Sequence, residues 1–156
     1  MGKLLSNLQD IMASTPLPFS KAIALGYYDG PTSGVVQSER NLTTYKFQLL
    51  AWDAGQDMRI FSMAPLSSQS FERLVNLLSQ IQPPLWPLWV PIWNFPSQET
   101  ANIVEREVER ILGQADFPGL VVAMKSIMSE IVSVKVVMPN DFDRTEDWFA
   151  FLDLDK

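Results

Sequence analysis

The sequence predicts a single α+β domain, residues 1–156, whose sheet is mainly antiparallel and packs with two or three helices. At 156 residues the chain is long enough to bury one hydrophobic core. Its 47% hydrophobic and 19% charged residues are ordinary globular composition. Apolar residues alternate with period two in the first half, and two later segments have helical spacing.

The amino-terminal arm, residues 1–15, contains a predicted short helix at 3–12. Four apolar residues share one face of that helix: Leu4, Leu5, Leu8 and Ile11. Gly2 and Ser6 fit the N-myristoylation pattern. Because the pattern is so permissive, we interpret it as an ordinary start and expect no anchoring by acylation of Gly2.

Four strands are predicted next, at 20–28, 34–38, 43–52 and 58–64. The third alternates most clearly, with one apolar face formed by Tyr45, Phe47, Leu49 and Ala51 and a polar face formed by Thr44, Lys46 and Gln48. Residues 53–57 are predicted to close a hairpin with Gly55 at positive φ. Short connections between successive strands favour an antiparallel meander.

Two amphipathic helices follow the meander. The first is capped by Ser67 or Ser68, and its apolar stripe consists of Phe71, Leu74, Val75, Leu78 and Ile81. Pro83 and Pro84 end it. The second begins after a Ser97 cap and runs to Leu112, with Gly113 in the stop position.

The secondary structure of the last third of the chain is harder to predict. Residues 117–133 fit either a helix or a buried strand, because so apolar a run has no diagnostic period. Strands are predicted at 132–138 and at 148–154. An acidic loop around 141–147 precedes the second of them, and residues 141–156 carry six acidic and two basic side chains, a net charge of −4.

Between the two helices lies a segment rich in tryptophan and proline, residues 82–96. From Trp86 to Trp93 alternate residues face opposite ways, and Pro87 and Pro91 remove N–H donors from the same edge. The pattern predicts a sheet-edge strand with both prolines on its open side. Whether Trp89 and Trp93 are covered by the second helix or exposed to a partner stays open at this point.

Composition excludes several classes of chemistry. Without cysteine or histidine, the chain has no thiolate or imidazole nucleophile, base or metal ligand. The acidic loop does not fit an EF-hand, since that template needs Gly at 146 and Glu at 152 where the chain has Glu146 and Leu152. We therefore expect neither a metal nor a cofactor.

Charge and hydropathy restrict the partners. The net charge of −6 and the absence of a basic stripe disfavour nucleic acid. Residues 74–98 carry no charge, but five prolines together with Gln80 and Gln82 interrupt them, so we predict no transmembrane segment. We expect a cytoplasmic protein.

The loop from Asp29 to Gly34 is the most enzyme-like feature, since two glycines and two hydroxyls are able to cradle an anion. It matches neither a P-loop nor a nucleophile elbow, and Asp-Gly-Pro is ordinary turn chemistry. We interpret it as a plain turn between two strands. The neighbouring Tyr27 and Tyr28 direct one ring to each face of the sheet.

The sequence best supports a non-catalytic module that binds a protein or peptide, or a second copy of itself, through an aromatic patch at the sheet edge. The candidate binding residues are Tyr27, Tyr28, Asp29, Trp86, Trp89 and Trp93. One alternative is a carrier or sensor with an apolar small-molecule pocket between sheet and helix. Another is an enzyme that uses Asp, Tyr and Ser groups near residues 27–34.

Overall fold

A computed structural model describes residues 19–38, 43–91, 97–125, 128, 130–143 and 147–154. The helix predicted at 3–12 and the rest of the amino-terminal arm lie outside these residues. Within them the chain forms one seven-stranded sheet and three α-helices. The predicted α+β class is confirmed.

The strands are β1 (Phe19–Tyr27), β2 (Pro31–Ser38), β3 (Thr44–Asp53), β4 (Met58–Leu66), β5 (Leu88–Trp89), β6 (Leu120–Lys125) and β7 (Glu130–Val136). The helices are α1 (Ser68–Ser79), α2 (Gln98–Leu112) and α3 (Trp148–Phe151). The strand order is β5-β1-β2-β3-β4-β6-β7, and only the β5–β1 pair is parallel. The predicted meander is therefore confirmed as β1 to β4, and the undecided residues 117–133 contain strand β6.

Helices α1 and α2 cover one face of the sheet. Ser67 caps α1 by accepting a hydrogen bond from the amide of Ser70 at 3.0 Å, and Ser97 caps α2 through the amide of Thr100 at 3.1 Å. The core under both helices contains Ile23, Val35, Leu66, Phe71, Leu74, Leu78, Trp89, Val104, Val108 and Ile111. Helix α1 thus buries Phe71, Leu74 and Leu78 of its predicted stripe, and Val75 and Ile81 pack partly buried against the same core.

A second core lies on the opposite face of the sheet. Its largest members are Tyr45, Phe47, Phe61, Met63, Leu120 and Met124, all essentially inaccessible to solvent. The rings of Phe47 and Phe61 meet edge to face at 5.4 Å. The apolar face predicted for β3 is confirmed at Tyr45 and Phe47.

A bulge in β3 changes which side chains share a face. Leu49 pairs with Phe61, but Ala51 pairs with Ile60, so the register slips by one residue at Leu50. Ala51 consequently packs with Ile60 rather than with Phe47 and Leu49, and its predicted face is wrong. The following pair, Trp52 and Arg59, becomes a cross-strand neighbour pair.

The tryptophan- and proline-rich segment supplies an edge strand, as predicted, but within its described residues 82–91 only Leu88 and Trp89 pair with the sheet. Pro87 does not lie on the open side. The amide of Ala22 donates to its carbonyl at 2.7 Å, so Pro87 faces β1. Proline lacks only the donor, and its carbonyl still accepts.

The predicted strand at 148–154 is wrong. Asp147 caps a single helical turn, α3, by accepting from the amide of Phe149 at 3.0 Å, and the amide of Leu152 donates to the carbonyl of Trp148. These local hydrogen bonds use backbone groups that a strand would offer to a neighbour. Trp148 and Phe151, three residues apart, meet edge to face at 5.3 Å on one side of the turn.

The β3–β4 connection also differs from its prediction. Positive φ falls at Asp57, with φ of 52°, and not at Gly55. The Asp53 carboxylate accepts from the amides of Gly55 and Gln56 and so holds a short 3₁₀ turn over residues 54–56. Asp57 then closes the turn in the left-handed region, which Asp tolerates better than most residues.

Candidate functional site

Three aromatic side chains lie exposed where the β1–β2 turn meets the end of the β3–β4 hairpin. Tyr28 is 69% exposed, Tyr27 49% and Trp52 37%. The rings of Tyr28 and Trp52 meet edge to face with centroids 6.0 Å apart. We call Tyr27, Tyr28 and Trp52 the aromatic surface.

Arg59 is the buried residue that anchors the aromatic surface. Its side chain is 7% exposed, and it donates to the carbonyls of Tyr28 and Asp29 at 2.8 Å and of Pro31 at 3.2 Å. Its guanidinium carbon lies 4.2 Å from the centroid of the Trp52 ring. One buried cation therefore ties the β1–β2 turn to the tryptophan through hydrogen bonds and a cation–π contact.

The turn has the backbone geometry that this anchoring requires. Asp29 and Gly30 have φ of 52° and 137°. A Cβ at Gly30 would lie 3.1 Å from the guanidinium carbon of Arg59, so the turn reaches the cation only with glycine at this position. Glycine adopts such a φ freely, whereas the positive φ of Asp29 is uncommon for a residue with a side chain.

The Asp29–Gly34 loop does not have the converging amides of an anion-binding site. Carbonyl oxygens, not amides, converge here, and they converge on the cation of Arg59. Gly34 lies inside β2, where a Cβ would collide with the carbonyl oxygen of Ile23 in β1. The residues of this loop thus serve close backbone approach and the capture of a guanidinium.

The candidate tryptophans of the 82–96 segment do not join the aromatic surface. Trp89 is completely buried under α1 and α2, and Trp86 is half-buried against it, with ring centroids 5.7 Å apart. The Trp89 indole N–H finds no hydrogen-bond partner in the described part of the chain. Trp93 lies outside the described residues. An exposed patch at Trp89 is therefore excluded.

Asp29, the remaining candidate, is exposed at the tip of the turn. An enzyme in this region would bring its carboxylate into a cleft beside a hydroxyl or a second carboxylate. The exposed position of Asp29 gives that hypothesis no support. Among the described residues, no group of three or more acidic side chains has the arrangement of a metal site.

The acidic segment after β7 contributes to local structure where it is described. The Asp141 carboxylate accepts from the amide of Met138 at 2.7 Å, and Asp147 caps α3. Around them Phe117, Phe142, Trp148 and Phe151 form a chain of ring contacts, with neighbouring centroids 5.3–5.7 Å apart. Phe142, Trp148 and Phe151 pack in one cluster with Met58 and Ile60 at the end of the β3–β4 hairpin.

Two open clefts bear on the small-molecule alternative. One of about 190 Å³ lies between β3, β4 and the end of α2, and Lys46, Gln48 and Asp116 line it. The other, of about 450 Å³, lies between β1 and α1 beside Lys21 and Glu72. Both have charged walls, unlike the enclosed apolar pocket that a carrier for apolar ligands requires.

Sequence reasoning missed Trp52 and Arg59 as partners of the two tyrosines. A signal for Arg59 is present, because a charged residue interrupts the apolar run Met58–Met63 and faces the same way as Phe61. No signal marks Trp52. The face of the sheet on which the Trp52 side chain lies depends on the bulge at Leu50, and the alternation of the sequence does not reveal a bulge.

Comparisons with protein-family models, with curated proteins and with solved structures found no match to this chain. In the described part of the chain, no helix has the length and hydropathy needed to cross a bilayer. The functional conclusion therefore rests on the geometry of the aromatic surface.

Proposed function

We propose that the protein is a non-catalytic binding module that recognises a segment of another protein through the aromatic surface formed by Tyr27, Tyr28 and Trp52. The observation that carries the proposal is that the buried Arg59 anchors Trp52 and the backbone of Tyr28. Exposed aromatic rings in a fixed arrangement are the usual energetic centres of protein interfaces, because they bury a large area at low entropic cost.

Two features favour this surface over a mere exposed turn. Scattered single apolar residues are normal on any surface, whereas here the exposed rings of Tyr28 and Trp52 are in contact and the exposed Tyr27 adjoins Tyr28 in the chain. In addition, a buried guanidinium holds the turn, and Asp29 is a non-glycine residue at positive φ, a strain that is typical of functional positions. A cytoplasmic location, self-association and the absence of nucleic-acid binding stay predictions.

A displayed library of random peptides tests the proposal. We expect the protein to enrich a defined class of sequences, and we expect the double variant Tyr27→Ser, Tyr28→Ser to lose that class while unfolding at the same urea concentration as the parent. The matched control is Leu85→Ser with Ile103→Ser, which removes two equally exposed apolar side chains elsewhere. Enrichment that survives the tyrosine substitutions, or none at all, would overturn the proposal.

A further inference from the structure

Three carboxylates lie at the two turns that carry the aromatic surface. Asp29 follows Tyr28 directly, Asp53 follows Trp52, and Asp57 lies at the other end of the same hairpin turn. Asp29 and Asp57 are exposed and Asp53 is half-buried. Any partner that docks on Tyr28 and Trp52 therefore meets several negative charges within the first few residues around the rings.

Among the described residues of these two turns, the exposed charged side chains are carboxylates. Arg59 keeps its positive charge, but it is buried and donates to three backbone carbonyls. Lys125, which pairs with Met58 in the adjacent strand, lies opposite Glu130 on its other side. A partner that approaches these turns from solvent therefore meets carboxylates before it meets the buried cation.

The carboxy-terminal segment extends the negative region. Helix α3 packs in one cluster with Leu50, Ala51 and Met58, at the end of the hairpin that carries Trp52. Its flanking residues Asp147 and Asp153 are both exposed. Residues 141–156 carry a net charge of −4 out of −6 for the whole chain. Two further carboxylates, Asp147 and Asp153, are therefore exposed on the segment that packs at the end of this hairpin.

The rings themselves favour a cation. Tyr28 and Trp52 meet at an interplanar angle of 81°, so they form two walls of a corner. A lysine or arginine side chain gains from both features, because its stem packs on the rings while its charge interacts with a ring face and with neighbouring carboxylates.

We propose that the segment recognised by the aromatic surface is basic, with lysine or arginine side chains that lie against Tyr28 and Trp52 and face Asp29, Asp53 and Asp57. This inference rests on the function proposed above and specifies the partner by its charge. Complementary charge of this kind increases the association rate and suppresses binding of acidic segments.

Three short synthetic peptides test the inference directly. One alternates lysine with leucine, and the others carry glutamine or glutamate in place of every lysine. Binding is followed by NMR through the Trp52 indole N–H and the Gly30 amide. We expect the lysine peptide to bind at least about tenfold more tightly than the glutamate peptide, and we expect raising NaCl from about 0.05 M to about 0.5 M to weaken it severalfold.

Variants that remove a negative charge test whether the affinity for the lysine peptide depends on the carboxylates at the aromatic surface. Asp29→Asn and Asp57→Asn keep the shape and tolerate the φ of 52° at both positions. Together they should weaken binding of the lysine peptide by roughly threefold to tenfold. Glu105→Gln with Glu109→Gln, on the exposed side of α2, removes the same net charge at a distance and should leave the affinity unchanged.

The outcomes separate the two proposals. If the glutamine or glutamate peptide binds as tightly as the lysine peptide and Tyr28→Ser abolishes that binding, the inference about charge fails and the proposed function stands. If no peptide shifts the Trp52 and Gly30 signals, the inference also fails. If the lysine peptide binds equally well to Tyr28→Ser, or if both pairs of charge variants weaken it equally, the attraction is to net charge and both proposals fail at this site.

Discussion

Among the edge-to-face aromatic pairs of the described residues, two have nearly identical geometry but differ in burial. Trp86 and Trp89 meet edge to face at 5.7 Å and 83°, and Tyr28 and Trp52 meet at 6.0 Å and 81°. A basic side chain approaches one tryptophan of each pair: Lys21 lies 5.3 Å from the ring centroid of Trp86, and Arg59 lies 4.2 Å from that of Trp52. Ring content and ring geometry therefore do not distinguish a core from a surface.

The two pairs differ in what packs over the rings and in whether the cation is buried. Two helices close over Trp89, and the half-buried Lys21 lies at the margin of that core. At the other pair the cation is buried and the rings are exposed. A cation held beneath an exposed aromatic group fixes its arrangement without covering it, which is the arrangement that a binding surface needs.

The substitution with the largest expected effect on stability disrupts the buried pair, Trp86 and Trp89. Trp89→Ala should lower the free energy of unfolding by about 3–5 kcal/mol, because it opens a cavity under α1 and α2. Urea denaturation measures the loss. Trp52→Ala should cost no more than about 1–2 kcal/mol, since that ring is partly solvated. Equal losses at the two positions would remove the distinction between core and surface drawn above.

A milder substitution at the same position sharpens this prediction. Trp89→Phe keeps a ring in the core and removes an indole N–H that has no partner in the described part of the chain. An unpaired buried donor costs about 1–3 kcal/mol, so this gain should offset much of the volume lost. We expect Trp89→Phe to retain most of the stability that Trp89→Ala loses.

The next effect concerns the cation beneath the exposed pair. Arg59→Met keeps an unbranched apolar stem but leaves three carbonyls of the β1–β2 turn without their donor. We expect a loss of about 2–3 kcal/mol and faster amide hydrogen exchange at Gly30. Arg73→Met, at an exposed position of α1, is the control and should change stability by less than about 0.5 kcal/mol. A similarly small change at Arg59 would mean that water satisfies those carbonyls equally well.

The smallest effect concerns the two turns that frame the aromatic surface. Gly30→Ala should cost about 1–3 kcal/mol, because φ is 137° and the new methyl would press on Arg59. Gly55→Ala should be neutral or stabilising by up to about 1 kcal/mol, since its φ is not positive and its nearest contact is an ordinary 3.4 Å. Thermal unfolding of the two variants compares them, and equal losses would contradict the role assigned to Gly30.

Much of the fold was predictable because it depends on local periodicity. Both long helices begin at the predicted serine caps, and the first four strands follow in the predicted order. Two of the wrong predictions, the strand at 148–154 and the face of Ala51, also share a cause, since in each case a single residue decides the outcome. At 148–154 the alternation of aromatic residues also fits one helical turn, and the Asp147 cap decides for the helix. At Leu50 a single bulged residue reverses the facing of everything after it in β3.

The candidate site was predictable only in part. Tyr27, Tyr28 and Asp29 are exposed at one turn, as a binding patch requires. Trp86 and Trp89 were grouped with them on composition, but they belong to the core beneath the helices. The partners that complete the surface, Trp52 and Arg59, come from another hairpin, and their meeting with Tyr28 depends on register and bulge.

By itself the sequence determined the class of fold, the two helices with their caps, the order of the meander strands and the lack of histidine and cysteine chemistry. These follow from side-chain period and residue type, which are local properties. Only the tertiary structure decided which aromatic residues are covered and which are exposed. Burial depends on what packs against a residue from elsewhere in the chain, and two tryptophans with the same local pattern differ when helices close over only one of them.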